Sequence, residues 1–344
     1  MLKLRRATVM SADPLTVGVD GVERPAWADK GLIGPCEVGD EVIVNVEALD
    51  LGLGSGGFDI VHVNLTRGLD AEGSEEDHVM KLNYSSLQHP VGSIERPVDD
   101  EAAAGLGMSI PVLAIGLHGH LAPAAWAIAD RAKRDGRPAP SVGYVQTGGG
   151  ALPGSFSRDV KTLLDRNLIV GHITAGPSYG GQAEAISLIG AIDAAESQAW
   201  DAVISGPGPG ILGSATVYGH GGMSALDVAH AGLALGAPVV LSPRLSSGDP
   251  RPRHRGLSHH SRSVLQLLLA GVEVPLPAGR DDLAEAIQEI GDGRHRVVFE
   301  EVDLAGYANS GLPRRTMGRD IDQDPEFFSG PLAAGCRLAE LIES

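Results

Sequence analysis

Long apolar runs are missing from this chain, and cysteine is scarce. The longest apolar-rich run, residues 264–272, is far shorter than the roughly 20 residues that span a membrane. The first residues also lack the apolar region of a signal peptide. The two cysteines, Cys36 and Cys336, match no zinc or redox spacing. We therefore predict a cytoplasmic protein that has no membrane partner and keeps both thiols reduced.

Aromatic residues and positive charge are also scarce. Phe, Trp and Tyr make up 4% of the residues, whereas glycine occurs 47 times. The core must therefore consist mainly of Ala, Val, Leu and Ile, with many tight turns between elements. The formal net charge of −17 argues against a general nucleic-acid-binding surface, which has to be basic to displace the counterions of the phosphates. We expect no nucleic-acid partner.

The first part of the chain has the pattern of a small β structure. Its length of 344 residues fits about two domains. In residues 1–95, short apolar segments are separated by Gly, Pro and Asp, which is typical of strands and turns. We predict a β-rich, barrel-like domain over residues 1–95, followed by a linker that ends near residue 106. The expected strands lie at residues 7–10, 15–19, 41–46, 60–64 and 80–84.

The rest of the chain alternates apolar runs with helical patterns. PVLAIGL, SVGYVQT, LIVGHITA, WDAVISG and APVVLSP each precede a segment of helical periodicity, and a terminal helix is expected near residues 331–342. This alternation predicts βαβ units and a parallel sheet that is buried on both faces. The predicted fold is α/β, with a small N-terminal β-barrel-like domain followed by a three-layer α/β domain over residues 107–344, whose sheet is mostly parallel.

Glycine-rich loops follow several of the predicted strands. Ligands of open α/β sheets bind beyond the carboxyl ends of the strands, so these loops should converge on one edge. The triplet Gly148, Gly149 and Gly150 could cradle an anion with its N–H groups or simply turn the chain, and both interpretations remain open. The candidate ligand-binding residues of the loops are Gly148, Gly149, Gly150, Ser178, Gly180, Gly181, Gly210, Gly213, Ser214 and, after the first strand, His118.

Arginines are concentrated in residues 242–263, SPRLSSGDPRPRHRGLSHHSRS. Arg251, Arg253 and Arg255 alternate, so an extended backbone would point them to one side. Guanidinium groups arranged in this way suit a phosphate or a carboxylate, and we predict that these three bind an anion. In the alternative interpretation they pair with an acidic neighbour in the fold, such as Asp249, Glu184 or Asp227.

Three histidines accompany these arginines. Ser258 is a good helix N-cap, which places His259 and His260 in the first turn of a helix. The positive helix end lowers imidazole basicity, which favours neutral rings that can act as a general base. We therefore predict His254, His259 and His260 as catalytic residues. Neighbours on a helix lie about 100° apart, so His259 and His260 are not expected to chelate one metal together.

Several familiar motifs are missing. The sequence contains no GxxxxGK[ST], GxSxG or HExxH. A GxGxxG match at residues 208–213 contains Pro209, and the following helix is delayed, so a dinucleotide site is not expected. Ser155, Ser178 and Ser214 are candidate nucleophiles only because they lie in the loops. We assign no cofactor and no metal ligand from these patterns.

The chain resembles, over nearly its full length, the bacterial domain-of-unknown-function family 3866. The stretches that carry the resemblance are LGLGSGGFD, HVMKLNYSSLQ, GGALP with SFSR, ITAGPSYGGQAEA, GILGSAT, RHRGLSHHS and TMGRDIDQDPEFF. In the family pattern, acidic residues occupy the positions of Gly148 and Gln182, and a histidine occupies that of Pro177. The resemblance implies that any metal or proton-transfer role at those positions is absent from this chain. It implies no reaction, because none is established for the family.

Two functional hypotheses follow. The first is an enzyme that acts on a small anionic substrate, phosphorylated or carboxylated, at the carboxyl edge of the parallel sheet. The second is a metabolite-binding or scaffold protein that uses the same pocket without chemistry. With either, the glycine-rich loops and the helix at residues 225–235 could form a homodimer interface.

Overall fold

The computed structural model describes residues 1–53, 57–70, 73–74, 77–97 and 107–342. The chain packs into two compact units, Met1–Gly92 and Ser93–Ser344. Residues 98–106, most of the predicted linker, lie outside the described residues. Within the described residues, no helix is both long enough and apolar enough to cross a membrane.

The first unit contains a closed five-stranded barrel. Its strands are β1 (Leu4–Ala12), β2 (Leu15–Val19), β3 (Val22–Trp27), β4 (Glu41–Asn45) and β5 (Asp59–Asn64). They are arranged in the order β1-β2-β3-β5-β4, with β3 and β5 parallel and the other ladders antiparallel. Burial alternates along β4, so that Val42 and Val44 face a small core of valine and alanine. The predicted barrel is confirmed.

Short elements complete the first unit. They are α1 (Lys30–Ile33), α2 (Glu47–Asp50) and a hairpin of β6 (Val79–Lys81) and β7 (His89–Val91). The carboxylate of Asp59 is buried, and Arg24 Nε donates to it at 2.6 Å. This pair joins β3 to β5, where the barrel closes.

The second unit is built around an eight-stranded parallel sheet. The strands of this unit are β8 (Val112–Ile115), β9 (Val142–Thr147), β10 (Gly171–Ala175), β11 (Ala183–Ala185), β12 (Ala202–Pro207), β13 (Val239–Ser242), β14 (Leu245–Ser246), β15 (Gly256–Leu257), β16 (Glu273–Pro277), β17 (Arg296–Glu300), β18 (Arg315–Thr316) and β19 (Arg319–Asp320). The sheet has the order β11-β10-β9-β12-β8-β13-β16-β17, and its ladders are all parallel. The pairs β14-β15 and β18-β19 are small hairpins.

Helices cover both faces of this sheet. They are α3 (Leu121–Arg134), α4 (Arg158–Asp165), α5 (Leu188–Ser197), α6 (Ser224–Ala234), α7 (His259–Leu267), α8 (Asp281–Ile290), α9 (Leu304–Ala308) and α10 (Pro325–Leu341). One core cluster joins the sheet to α3, α4, α9 and α10, and another joins it to α5, α6, α7 and α8. These are the three layers that the sequence predicts.

The order of the strands brings four of the chemically rich loops together. The strands β9, β12, β8 and β13 are consecutive neighbours in the sheet. Because parallel strands end at the same edge, the loops after these four strands meet there. The chain leaves β8 and β9 toward one helical layer, and β12 and β13 toward the other. The loops therefore separate and leave room for a site between them.

Two strand glycines make room for an indole ring. A Cβ on Gly143 of β9 would lie 1.8 Å from the ring of Trp200, and a Cβ on Gly171 of β10 would lie 2.5 Å from it. Trp200 is buried where α5 leads into β12. In a chain with three tryptophans, these glycines allow a large aromatic side chain to pack directly on the sheet.

Two boundaries differ from the prediction. The last helix begins at Pro325 rather than near Pro331, which lies inside it. Residues 183–185, expected to be helical, form the edge strand β11, and α5 begins only after Ser187. The Ser187 side chain accepts a hydrogen bond from Gly190 N at 3.0 Å, so this N-cap fixes the start of α5.

Candidate functional site

Four histidines form a cluster at the carboxyl edge of the sheet. His220 ends the long loop after β12, His254 lies in a short 3-10 turn, and His259 and His260 open α7. Ser258 caps α7 as predicted, because its side chain accepts a hydrogen bond from His260 N at 3.3 Å. The same hydroxyl bonds His254 Nδ1 at 2.8 Å. The hydroxyl of Ser258 therefore bonds two of the four histidines, His254 and His260.

The imidazole rings are in direct contact. His220 and His260 are stacked, with centroids 3.8 Å apart and an angle of 9° between their planes. His259 and His260 have centroids 4.4 Å apart, and His254 and His259 4.7 Å. One ring nitrogen each of His220, His259 and His260 lies within 4.8 Å of the others. The rings of His259 and His260 are therefore closer to each other than the rotation of about 100° between neighbouring helical residues suggests.

All four imidazoles are held neutral. Burial and then the charge of Arg244 lower the pKa of His260 to about 2 and that of His254 to about 3. The pKa of His259 is lowered by burial and by Arg253, and that of His220 by burial and by His259. At neutral pH the rings can therefore donate and accept hydrogen bonds without carrying charge.

A group of three arginines, of which Arg244 is buried, adjoins the histidines. Arg244 is 3% exposed, and its Nη1 donates to His260 Nδ1 at 3.1 Å. Its Nη2 lies 3.5 Å from the carboxylate of Asp249, which also binds Arg251 at 2.8 Å and Arg319 at 3.3 Å. Burial lowers the pKa of Arg244 to about 10, so its guanidinium remains charged at neutral pH.

A second carboxylate, Asp324, completes this charged group. Its Oδ2 accepts from Arg319 Nε at 3.0 Å, and its Oδ1 accepts from the backbone N–H groups of Ser247 and Gly248. Among the described residues that bond one another here, three guanidiniums therefore face two carboxylates. The group carries one positive charge in excess beside neutral histidines, and its most exposed member, Arg251, has a side chain that is 43% exposed. Such an excess favours an anion.

A small enclosed cavity separates the histidines from the end of β13. Its volume is about 10 Å³, roughly the room that one water molecule requires. Ser242 lies at its wall and bonds His120 Nδ1 at 3.0 Å. The cavity is lined by Gly116, Leu117, Gly222, Ala225, Leu241, Ser242, Arg244, His260, Ser261 and Val264.

Several polar atoms around this cavity have no hydrogen-bond partner among the described residues. They include both ring nitrogens of His220, Nδ1 of His259, Nε2 of His120 and Nε of Arg244. A Cβ on Gly222 would lie 3.1 Å from His220 Nδ1 and 3.5 Å from His260 Nδ1. The missing side chain at Gly222 therefore leaves space beside His220 Nδ1. Buried polar atoms without a partner are costly, so this concentration indicates a binding site.

The predicted row of arginines needs correction. Pro252–His254 is a turn of 3-10 helix, so the alternating residues do not lie in an extended segment. Pro252 fixes its own φ near the helical value and starts this turn. Arg251 binds the carboxylate of Asp249, and Arg255 Nε donates to the carbonyl of Asp249 at 3.0 Å. Of the three, Arg253 is exposed and lies close enough to His259 to influence its pKa.

The glycine triplet packs backbone against backbone. A Cβ on Gly149 would lie 2.6 Å from the carbonyl oxygen of Gly221, and one on Gly150 would lie 2.1 Å from that of Gly208. A Cβ on Gly148 would lie 3.2 Å from the side-chain ring of Pro177. These contacts fix the loop that carries His220. Close packing therefore accounts for the missing side chains of this triplet, and contact between these glycines and an anion stays a prediction.

The other predicted loop residues lie in two places. Gly210, Gly213 and Ser214 belong to the long loop after β12, where Ser214 Oγ donates to the carbonyl of Gly219 at 2.9 Å. Gly180 and Gly181 line a separate pocket of about 380 Å³, and Ser178 is buried in the same connection from β10 to β11. Gly213 pairs with His220 in an antiparallel bridge, so this part of the loop reaches the histidine cluster, whereas Ser178, Gly180 and Gly181 lie at the separate connection.

His118 also lies apart from the cluster. Its Nε2 is 2.7 Å from Ser157 Oγ, which lines the pocket of about 380 Å³. His120, only two residues further along, turns instead toward Ser242 and the small cavity. The 3-10 turn His118–His120 therefore directs its two histidines to different places.

Sequence reasoning missed part of the site. His220 follows a run of loop residues without periodicity, and Arg319 and Asp324 are distant from the other residues in sequence. The one sequence signal for Arg319 and Asp324 is that they belong to the family-like stretch TMGRDIDQDPEFF. Arg244 was recognised as part of the arginine-rich segment but not as its buried member, because burial of a charged side chain is decided by the whole fold.

The comparison with protein families agrees with the motifs. The model of a family described as "Protein of unknown function (DUF3866)" matches residues 25–335. The chain belongs to this family. No curated protein and no solved structure matches the chain significantly. The two family-like stretches RHRGLSHHS and TMGRDIDQDPEFF meet in the structure, because Arg319 and Asp324 join the group of charges that adjoins the histidines.

Proposed function

We propose that the α/β unit is an enzyme that acts on a small anionic substrate, phosphorylated or carboxylated, at the histidine cluster. The observation that carries this proposal is the excess of one positive charge, with Arg244 buried, beside four neutral imidazoles, several of whose nitrogens have no partner among the described residues. A bound anion would neutralise the excess and give the open donors a partner.

Each group has a distinct role in this proposal. Arg253, which is exposed, and Arg244, whose Nε has no partner among the described residues, attract and hold the anion, whereas Arg251 and Arg255 donate to Asp249. His259 moves a proton to or from the substrate, because its Nδ1 has no partner. His254 and His260 orient the anion as hydrogen-bond donors. His220 adds a further donor from the opposite loop.

Binding should be coupled to protons. In the free protein, burial and positive neighbours lower the pKa of the imidazoles. A bound anion reverses the sign of the nearest charge and raises these pKa values, so the complex takes up protons. By linkage, affinity then increases as the pH falls. Titration calorimetry in two buffers of different ionisation enthalpy measures this uptake.

The test uses the full chain with inorganic phosphate as the probe. Arg253→Ala and His259→Ala should each weaken phosphate binding about tenfold or more, since a hydrogen bond to a charged group contributes roughly 1.5–3 kcal/mol. The control is Arg166→Ala. Arg166 follows the carboxyl end of α4, and its replacement removes one positive charge of the same kind. This variant should bind phosphate as tightly as the wild type does. Native mass spectrometry of the purified protein identifies any metabolite that the site retains. Unchanged binding in both site variants would exclude this site.

The main alternative is a metabolite-binding or scaffold protein without catalysis. It uses the same contacts, and it predicts binding of the retained metabolite without turnover. The deciding assay incubates that metabolite with the wild type and with His259→Ala. A product formed only by the wild type supports the enzyme, and tight binding without a product supports the alternative.

A second candidate function is metal-dependent catalysis. One nitrogen each of His220, His259 and His260 lies within 4.8 Å of the others, and three histidines with an open position suit Zn²⁺. The nearby charge of Arg244 opposes a cation, which is why we rank this candidate second. Co²⁺ added to the protein should give a visible absorption band that His220→Ala abolishes. Without such a band, metal binding at this cluster is excluded.

We place this activity in the cytoplasm, since both cysteines are free thiols. The partner that we propose is the small anion itself, and neither nucleic acid nor membrane is part of the proposal. A homodimer would use the exposed loop after β12, where Leu212 and Tyr218 are solvent-accessible. Light scattering of the wild type and of Leu212→Ser tests this association.

A further inference from the structure

A second group of catalytic side chains lies on the same edge of the sheet. His118 follows β8, Ser157 precedes α4 in the loop after β9, and Pro207 ends β12. His118 Nε2 is 2.7 Å from Ser157 Oγ, and His118 Nδ1 is 3.2 Å from the carbonyl oxygen of Pro207. Three adjacent strands thus align a hydroxyl, an imidazole and a carbonyl.

The hydrogen bonds determine where the protons are. His118 Nδ1 lies 3.2 Å from the carbonyl oxygen of Pro207, which can only accept, and 3.4 Å from the Tyr144 hydroxyl, whose proton is directed to the nearer carbonyls of Gly206 and Pro207. We therefore assign the proton of this imidazole to Nδ1, which donates to Pro207. His118 Nε2 then has a free electron pair, and the Ser157 hydroxyl donates to it. Tyr144 donates to the same carbonyl at 3.0 Å and limits its movement. This is the arrangement of an activated serine, with a backbone carbonyl as the group that orients the histidine.

Ser157 also occupies the positive end of a helix. It is the N-cap of α4, and its Oγ accepts a hydrogen bond from Val160 N at 3.1 Å. The N–H groups of Arg158 and Asp159, in the first turn, have no acceptor within the helix. Together with the helix dipole they can stabilise negative charge that develops next to Ser157.

Ser157 is one of the residues that line a pocket whose size fits a small ligand. The pocket has a volume of about 380 Å³, within the usual range for small-molecule sites. Val160 and Leu164 give it an apolar wall, and Gly180 and Gly181 lie on its surface without side chains. A purely structural role, in which Ser157 caps α4 and gives His118 a hydrogen-bond partner, would explain these hydrogen bonds. It does not explain why the serine lines an open pocket.

We propose that Ser157 and His118 hydrolyse a carboxylic ester with a short acyl chain. Ser157 Oγ adds to the ester carbonyl carbon while its proton passes to His118 Nε2. The bond to the alcohol oxygen then breaks, and His118 returns the proton to the leaving alcohol. Water next attacks the acyl-serine with His118 as base, which releases the carboxylic acid and restores the Ser157 hydroxyl. Burial lowers the pKa of His118, so the free base is present at neutral pH.

The experiment labels the full chain with an alkyl fluorophosphonate and maps the modified peptide by mass spectrometry. The expected adduct is on Ser157, and p-nitrophenyl acetate should be hydrolysed in a reaction that the probe inhibits. Ser109→Ala, which removes an exposed hydroxyl outside the lining of this pocket, should leave both reactions unchanged. His259→Ala should also leave them unchanged, so a failure of the anion site and a failure of this one can be distinguished.

Two variants separate catalysis from folding. Ser157→Asn keeps a good N-cap but has no nucleophile, and it should lose labelling while its unfolding temperature stays close to that of the wild type. His118→Asn should lower the labelling rate a hundredfold or more, the usual contribution of a general base. The proposal is overturned if the wild type is not labelled, if the adduct lies on another residue, or if Ser157→Asn still hydrolyses the ester at the wild-type rate.

Discussion

A single glycine holds the histidine site open. A Cβ on Gly222 would lie 3.1 Å from His220 Nδ1, 3.3 Å from the carbonyl oxygen of Gly116 and 3.5 Å from His260 Nδ1. His220 cannot easily move aside, because its ring is stacked on that of His260. A methyl group at this position therefore occupies the space in which the open nitrogens meet.

We expect Gly222→Ala to weaken phosphate binding about tenfold or more, and to lower the stability by about 1–3 kcal/mol, the usual effect of overpacking. Calorimetry and thermal unfolding measure the two effects. The control is Gly213→Ala, in the same loop, where a Cβ would meet nothing within 4 Å. Wild-type affinity in Gly222→Ala would show that the anion binds elsewhere.

For individual residues, the sequence predicts which side chains belong to a site but not which groups they bond. Ser258 and the two histidines after it could be predicted because an N-cap acts locally, within one turn. The sequence could not distinguish pairing of Arg251 with Asp249 from binding of an anion by Arg251, because both use the N–H groups of the same guanidinium. Ser157 was recognised only within the SFSR stretch. Its bond to His118 joins residues 39 positions apart, which only the strand order brings together.

Among the elements, β17 ends in a carboxyl group that the fold keeps from ionising. Glu300 is 5% exposed. Burial, and then the charge of Glu340, raise the pKa of Glu300 from 4.5 to about 7, while Arg131 opposes the shift. The folded protein therefore holds a proton on Glu300 at pH values at which the unfolded chain has released it. Stability that depends on this proton falls as the pH rises from about 4.5 to about 7.

We expect Glu300→Gln to remove this pH dependence and to be more stable than the wild type at pH 8. The gain should be about 1–3 kcal/mol, since each pKa unit corresponds to about 1.4 kcal/mol. Unfolding in urea between pH 5 and pH 8 measures it. Glu301→Gln, the exposed neighbour, should behave as the wild type does. The same pH dependence in wild type and Glu300→Gln would mean that other groups cause it.

Elements were predicted best where the pattern is long and local. Apolar runs that are each followed by a helical pattern predict the parallel sheet, and the structure confirms it. The errors occur where a local signal competes with packing. Pro331 is a strong helix-start signal, but the last helix begins at Pro325, and its interior proline is fully covered by neighbours. The edge strand β11 depends on pairing with β10, which no local pattern reveals.

For the whole molecule, the strand order places both candidate sites. The loop after β8 contributes a residue to each site. His118 contacts Ser157 at one, and His120 contacts Ser242 at the other. The order β9-β12-β8-β13 could not be read from the sequence, because alternating strands and helices fit several orders of the sheet. What could be predicted is that the loops share an edge, and this holds for every parallel order.

The two compact units differ greatly in the size of their cores. The barrel core of Met1–Gly92 has eight fully buried apolar residues, all Val or Ala, whereas Ser93–Ser344 has large core clusters on both faces of its sheet. Small units bury a smaller fraction of their surface and are less stable. We therefore expect two unfolding transitions in calorimetry, with the barrel unfolding first.

A protease site inserted between Gly92 and Ser93 tests this expectation on one and the same protein. After cleavage, the fragment from residue 93 onward should keep the higher transition, phosphate binding and fluorophosphonate labelling, because the described residues of both sites belong to Ser93–Ser344. The uncleaved protein with the same insertion is the control. The fragment that ends at residue 92 should show the lower transition alone. A single cooperative transition before cleavage, or loss of phosphate binding and labelling after it, would mean that the second unit needs the barrel in order to form its sites.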